Sequence, residues 1–240
     1  MVSPPTKASD MEGCYSWTYE RASSYAANPD DVTTNGTYTY PVMMYDADDA
    51  AGTFKIAGMT HAPVTVYFET DDDYPYFTIN GKGLYYYPSY GFCDLKAVFY
   101  FEGNAIYEAG WYSTSPAAWI MEENGKPVIV FHHTTWMYIE IASGTSAGQI
   151  ISNYWKPSSK MVEDNAYNGV FEHHDYDETH AQYFNIGAPV QISENQHGVV
   201  TVNNFLGVYT DASNPIKITL KEDRTWIAES SVLFTDDYYG

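Results

Sequence analysis

Apolar and polar positions alternate in short runs along most of the chain. Gly13-Cys14-Tyr15-Ser16-Trp17-Thr18-Tyr19 reads as a first strand, because a period of two places one face of a pleated segment on a core. Further strands are predicted near 37–45, 52–58, 63–69, 75–79, 83–88, 95–101, 104–111, 116–122, 127–133 and 135–142, at the short spacing of an all-β fold. The turns between them carry suitable chemistry. Glu123-Asn124-Gly125-Lys126 is the clearest, an Asn-Gly signal for a tight hairpin. Asn80-Gly81 and Gly103-Asn104 are similar. No long segment has a 3.6-residue period, so helices should be few and short.

The pattern is written twice. Pro41 to Met59 opens with Pro-Val, breaks at an acidic turn and restarts after Gly52 with Phe54 and Ile56 on one face. Pro189 to Phe205 repeats this with Gly198, Val200 and Val202. A Pro-led strand follows each, Pro63-Val64-Thr65-Val66 and Pro215-Ile216-Lys217-Ile218. Such self-similarity predicts two related β units, with segments 41–68 and 189–220 matching strand for strand. The expected organisation is a flexible N-terminal tail over 1–12, a first barrel or sandwich domain over 13–155, a linker over 156–168 and a second related domain over 169–240. The linker reading rests on Lys156-Pro157-Ser158-Ser159-Lys160. Gln149 to Trp155 reads as one more strand or a short helix. The second unit reaches Tyr239-Gly240 where the first has reached only Tyr90-Gly91. It is therefore expected to be incomplete, either continued in a longer natural chain or docked on the first unit to share its core.

Composition narrows the function classes. The net charge is −20, with 11 Lys and Arg against 31 Asp and Glu, which argues against nucleic acid and anionic membrane surfaces. No apolar run approaches the roughly 20 residues of a membrane span. The cysteines, Cys14 and Cys93, are too few for a disulfide framework; they either pair or stay free and buried, with the free reading favoured.

Most candidate chemistry reduces to surface features. Within Phe171-Glu172-His173-His174-Asp175-Tyr176-Asp177-Glu178-Thr179-His180, His173 and Asp175 share a strand face but His174 does not, so an exposed strand end is favoured over a metal site. His132-His133 is read likewise. The acidic turns Asp46-Ala47-Asp48-Asp49, Asp71-Asp72-Asp73 and Asp236-Asp237 read as solvated hairpin turns, with weak calcium binding as the alternative; no other cofactor is expected. Gly144-Thr145-Ser146-Ala147-Gly148 fits G-x-S-x-G, a motif with meaning only between strand and helix in a largely parallel sheet, so a loop is expected. Carboxylate pairs for glycoside hydrolysis are available in any acidic β protein, and nothing singles one out.

The aromatic clusters are the strongest lead. The chain holds 24 Tyr and 6 Trp. Tyr74, Tyr76, Tyr85, Tyr86, Tyr87, Tyr90, Trp111 and Tyr112 exceed what one strand face can bury, and in a run of three tyrosines at least one faces outward. Such rings offer flat stacking surface to sugars or peptides; the competing use is to line a barrel interior or a domain contact.

The Gly-x-Tyr opening strand, the Pro-led strand with its acidic turn, and the Gly-led strand ending in Gly58-Met59 or Asn204-Phe205-Leu206-Gly207 resemble the calycin-like and related β-rich repeats of secreted or surface lipoproteins of Bacteroides-type gut bacteria, over about 13–142 and 169–240. The resemblance implies an extracytoplasmic location and a role in surface binding, and a lipid anchor that would lie outside the given sequence, since no lipobox cysteine is seen. It carries over no functional residue. The expected function is non-catalytic binding of a glycan or another surface ligand, with a structural or adaptor module and a carboxylate-dependent glycoside hydrolase as the alternatives.

Overall fold

The computed structural model describes residues 5–24, 33–60, 62–70, 75–87, 89–101, 105–108, 118–164, 168–177, 182–196, 198–203, 215–223 and 225–228. The chain is all-β. After a single 3-10 turn, Ala8–Met11, the strands run β1 (Gly13–Ala22), β2 (Thr34–Asp48), β3 (Thr53–Ala57), β4 (Val64–Glu69), β5 (Tyr76–Asn80), β6 (Tyr85–Tyr87), β7 (Gly91–Phe101), β8 (Ala105–Glu108) and β9 (Ala118–Glu123). They continue as β10 (Lys126–Val130), β11 (Trp136–Ile141), β12 (Tyr154–Pro157), β13 (Lys160–Glu163), β14 (Gly169–Asp177), β15 (Gln182–Gln196), β16 (Val199–Asn203), β17 (Ile216–Leu220) and β18 (Trp226–Ala228).

Eight of these close an antiparallel barrel in the order β1-β2-β3-β4-β5-β9-β10-β13, with β13 returning to β1. The expected choice between barrel and sandwich is thereby decided for residues 13–163. The path is an up-and-down meander interrupted twice. Between β5 and β9 the chain leaves to make β6, β7 and β8; between β10 and β13 it leaves to make β11 and β12. The two excursions pair with one another as β12-β11-β7, with β6 and β8 on β7, and form an annex sheet.

Alternation decides which residues fill the barrel. Tyr15 stands opposite Val42, Met44 opposite Ile56, Phe54 opposite Val66, and Ile120 opposite Ile129, which also faces Met161. All belong to one buried cluster. Eight strands leave an interior just wide enough for side chains to fill, and Tyr15, Phe54, Phe77, Met44, Ile56, Ile120, Ile129 and Met161 fill it with under 2% exposure each. The Asn-Gly turn forms as expected: Glu123 pairs with Lys126, and Asn124 (φ 55°) and Gly125 (φ 79°) take the left-handed backbone that a two-residue turn requires.

Two expectations are corrected. The stretch expected as a linker over 156–168 is not one across 156–164, because Tyr154–Pro157 and Lys160–Glu163 are strands and the second of them closes the barrel. Met161 faces inward and is fully buried, whereas Val162 faces out. Ser158 and Ser159 mark the switch from annex to barrel: the Ser158 N–H donates to the Thr18 carbonyl at 2.8 Å and the Phe131 N–H to the Ser159 carbonyl at 3.0 Å. Short, polar, Pro-containing composition describes a strand switch as well as it describes a linker. Nor is 1–12 a flexible tail throughout. Ala8 and Met11 are buried in the barrel cluster, Asp10 accepts from the Thr6 and Lys7 N–H groups, and Asp49 accepts from the Ser9 N–H (2.8 Å) and hydroxyl (2.9 Å). Burial of two apolar side chains together with these bonds offsets the entropy of ordering a polar segment.

The remaining strands make a five-stranded meander, β14-β15-β16-β17-β18. One of its faces meets the barrel along β2 and β3. A Cβ on Gly187 would lie 2.6 Å from the Pro63 ring, and one on Gly58 3.1 Å from the Pro189 ring, so the two sheets approach at backbone distance. At the edge of this contact the Tyr45 hydroxyl donates to Glu172, and Lys55 bridges Asp46 (2.7 Å) and Glu172 (3.8 Å).

Because Met161 is inside and Val162 outside, Met161→Ala should cost about 2–5 kcal/mol and Val162→Thr less than about 0.5 kcal/mol in denaturant unfolding; equal, small effects would remove 160–163 from the core. The Ser9 backbone amide, then the Ser9 hydroxyl, hold the Asp49 carboxyl below its ordinary range. A lowered folded-state value means that this contribution is present above the ordinary carboxylate pKa and fades as pH falls through the lowered one. Hydrogen-exchange protection of the Ser9 amide should therefore drop in acid, and Asp49→Asn should lower it at neutral pH; protection unchanged in both cases would discount the clamp.

Candidate functional site

The hairpin of β6 and β7 carries the exposed aromatic surface. Its register is Tyr85 to Cys93, Tyr86 to Phe92 and Tyr87 to Gly91. The turn closes with the Tyr90 N–H donating to the Tyr87 carbonyl at 2.9 Å, and Gly91 sits at φ 79°, a backbone position glycine adopts at little cost. The Tyr87 and Tyr90 rings stack with centroids 5.4 Å apart and planes 28° apart. They are 47% and 44% exposed; Phe92, on the opposite face of the hairpin, is 41% exposed. Tyr86 meets Phe92 edge-on at 5.3 Å.

The hairpin stands on a rigid base. The Leu84 N–H donates to the Cys93 carbonyl, the Leu95 N–H to the Gly81 carbonyl and the Ala142 N–H to the Phe92 carbonyl. The Gly83 N–H donates to the buried Asp94 carboxylate at 2.6 Å. Gly81 lies so close to Leu95 that a Cβ there would fall 2.0 Å from its carbonyl oxygen. Exposed rings on an ordered base lose little entropy when a ligand binds.

The eight residues singled out in the sequence divide. Tyr87 and Tyr90 come together and are exposed. Tyr76 is buried, with its hydroxyl on Glu69 at 3.1 Å, and Tyr86 is buried at 8% exposure; neither offers a free ring face, because alternation turns them to the packed side. Tyr85 lies in β6 opposite Cys93. Tyr74, Trp111 and Tyr112 lie outside the described residues. Phe92 was not anticipated; its signal was its place opposite the middle tyrosine of the run.

A second aromatic group, also unanticipated, sits where β1 and β2 rise past the barrel. Tyr19 is 6% exposed. Its ring stacks on Tyr38 (5.8 Å) and Tyr40 (6.0 Å), lies 4.5 Å from Trp17 and meets Trp155 edge-on at 6.4 Å. The Arg21 guanidinium lies over the Tyr38 ring at 4.1 Å and reaches the Tyr19 hydroxyl at 3.5 Å. Burial, the largest influence, raises the Tyr19 pKa. The indole N–H of Trp17 and the Nε of Arg21 are buried without a hydrogen-bond partner. The signal in the sequence was Trp17-x-Tyr19-x-Arg21 beside Tyr38-x-Tyr40, same-face residues on two paired strands.

The other candidates stay structural. Among the described residues no group of three or more His, Cys, Asp or Glu could hold a metal ion. The His132 Nδ1 lies 2.6 Å from the Thr134 hydroxyl, and burial, then His133, lowers its pKa. Ser146 is exposed in a hydrogen-bonded turn after β11, with antiparallel strands on both sides, which is the wrong setting for a nucleophile elbow. Cys14 and Cys93 are buried thiols outside any disulfide, and burial, then Asp94, pushes the Cys93 thiol up. Among the described residues no helix is long and apolar enough to cross a membrane. No protein-family model, curated protein or solved structure matches this chain.

Buried thiols with raised pKa values are poor nucleophiles. An Ellman titration of the native protein should detect neither cysteine promptly, and two thiols per chain should appear after denaturation without reductant. Prompt reaction of Cys93 in the native state would mean that the hairpin lifts off its base.

Proposed function

We propose that this is a non-catalytic binding protein of the cell exterior, secreted or at the cell surface, that holds a glycan against Tyr87 and Tyr90. The observation that carries the reading is the stacked, half-exposed pair Tyr87 and Tyr90 on an anchored hairpin. Two large rings stacked side by side and each nearly half-exposed cost solvation that a folded chain avoids unless they meet something. Sugar rings present flat C–H faces that stack on aromatics, and the net charge of −20 favours a neutral glycan there over an anionic one. The packed barrel interior supports an outer-surface site over an internal one.

The closed eight-stranded barrel fits a calycin-like architecture, and we read the five-stranded sheet as a related unit. Its strand order β14 to β18 parallels β1 to β5. A register shift interrupts β2/β3 between Tyr45 and Asp48, and another interrupts β15/β16 between Glu194 and Gln196. The Gly52 carbonyl accepts from the Phe68 N–H at 2.7 Å, and the Gly198 carbonyl from the Leu220 N–H at 2.8 Å. Shared order, shared irregularity and a shared cross-strand bond support common descent of the two units.

Tyr87→Ala and Tyr90→Ala should each weaken binding of a neutral oligosaccharide by about tenfold, the equivalent of about 1.4 kcal/mol, as measured by calorimetry against a broad neutral panel. Silence across that panel, or full affinity in the double variant, overturns the reading. Hydrolysis of the panel would favour the carboxylate enzyme instead.

A further inference from the structure

We propose that the aromatic rim around Arg21 is a second ligand site, separate from the hairpin, and that it takes a sugar acid: a ring resting on Tyr40 and Trp155 with its carboxylate on Arg21.

The charge pattern points there first. Lys7, Lys55, Lys96, Lys126 and Lys160 each sit within 4 Å of a carboxylate; among the described residues Lys156, Lys217 and Lys221 do not, so what sets Arg21 apart is its seat on aromatic rings. Arg21 pairs with no carboxylate among the described residues; its contacts are the Tyr38 ring and the Tyr19 hydroxyl. On a chain of net charge −20, any site that prefers an anion needs a local cation, and this one is held in place by aromatic packing.

The geometry of the guanidinium points to a carboxylate. Tyr38 covers one face of its plane, which leaves the edge as the recognition surface. The Nε is buried and has no hydrogen-bond partner, and Nη2 has only the 3.5 Å contact with Tyr19. Burial puts Nε out of a ligand's reach, so the fork on offer is the end-on pair of Nη groups, which binds a carboxylate through two parallel bonds. Lysine cannot reproduce that fork.

The rings point to a sugar. Tyr38, Tyr40 and Trp155 are each half-buried, packed on the core on one side and open in part on the other. Arg21 and Trp155 are directly opposed in the β1/β12 pairing, so the cation and the stacking surface belong to neighbouring strands with fixed spacing.

The test uses the intact protein and two probes of one chain length: an oligogalacturonate and its fully methyl-esterified form. Trp17 and Trp155 make tryptophan fluorescence the natural readout. The acid should bind at least about tenfold more tightly than the ester. Arg21→Gln should abolish that preference, and Arg21→Lys, which keeps charge and stem, should retain only part of it. Tyr87→Ala should leave it intact while weakening the neutral oligosaccharide, so failure here is distinguishable from failure of the hairpin site. Equal binding of acid and ester by the wild-type protein, no binding of either, or an unchanged preference in Arg21→Gln each overturns the proposal. If Arg21→Gln does not fold, the wild-type comparison and Arg21→Lys decide.

Discussion

One edge of one strand determines the architecture. β1 pairs with β2 along one side over nearly its whole length, and divides the other side between two partners. Its first half takes β13, at Tyr15 and Ser16, and its second half takes β12, from Tyr19 to Ala22. The first pairing turns an open sheet into a barrel and removes the exposed edges on which sheets associate. The ladder there is short, but the Asp164 N–H to the Cys14 carbonyl (2.6 Å), the Ser158 N–H to the Thr18 carbonyl (2.8 Å) and the Ser16 hydroxyl on Asp164 (3.1 Å) extend it. Without it the first half of β1 and the free side of β13 would each face water, and the inward row Tyr15, Ile129, Met161 would lose its enclosure.

The division of β1 also explains where exposed aromatic surfaces arise. Large apolar side chains fill the barrel interior. The excursions carry the annex away from the closed wall, and its tip is the hairpin with Tyr87, Tyr90 and Phe92. The continuation of β1 and β2 beyond the wall gives a second surface, where the row that was core at Tyr15 and Trp17 becomes a half-open rim at Arg21, Tyr38 and Tyr40. Core and rim differ only in distance along the same strand face.

The five-stranded sheet meets the barrel through close backbone approach. Gly58, Gly187, Pro63 and Pro189 supply small or flat surfaces at the contact, and Tyr45, Lys55, Asp46 and Glu172 border it. Burial, then the carboxylate of Glu172, raises the Tyr45 pKa, which keeps its hydroxyl a donor. The ion pairs are part-exposed and contribute little on their own; steric fit at the two glycines determines how near the sheets come.

Local sequence determined the strands. Alternation located nearly all of those in the first unit, Asn124-Gly125 determined its turn, and the Tyr85 to Tyr87 run required an outward ring, found at Tyr87. Those signals extend over two to eight neighbouring residues, and the physics behind them, pleat geometry and left-handed turn residues, is equally local. What only tertiary structure decided was pairing at a distance. That 160–163 closes a barrel on residues 15–16, that Ala8 and Met11 fill its end, and that Trp155 meets Tyr19 and Arg21 all depend on contacts between segments tens to more than a hundred residues apart. A Lys-Pro-Ser-Ser-Lys stretch reads as a linker until a neighbouring strand supplies its hydrogen bonds, and Arg21 reads as one more surface charge until Tyr38 lies beneath it. Period-two alternation states which side of a strand is apolar; the partner that covers that side is chosen by chain closure.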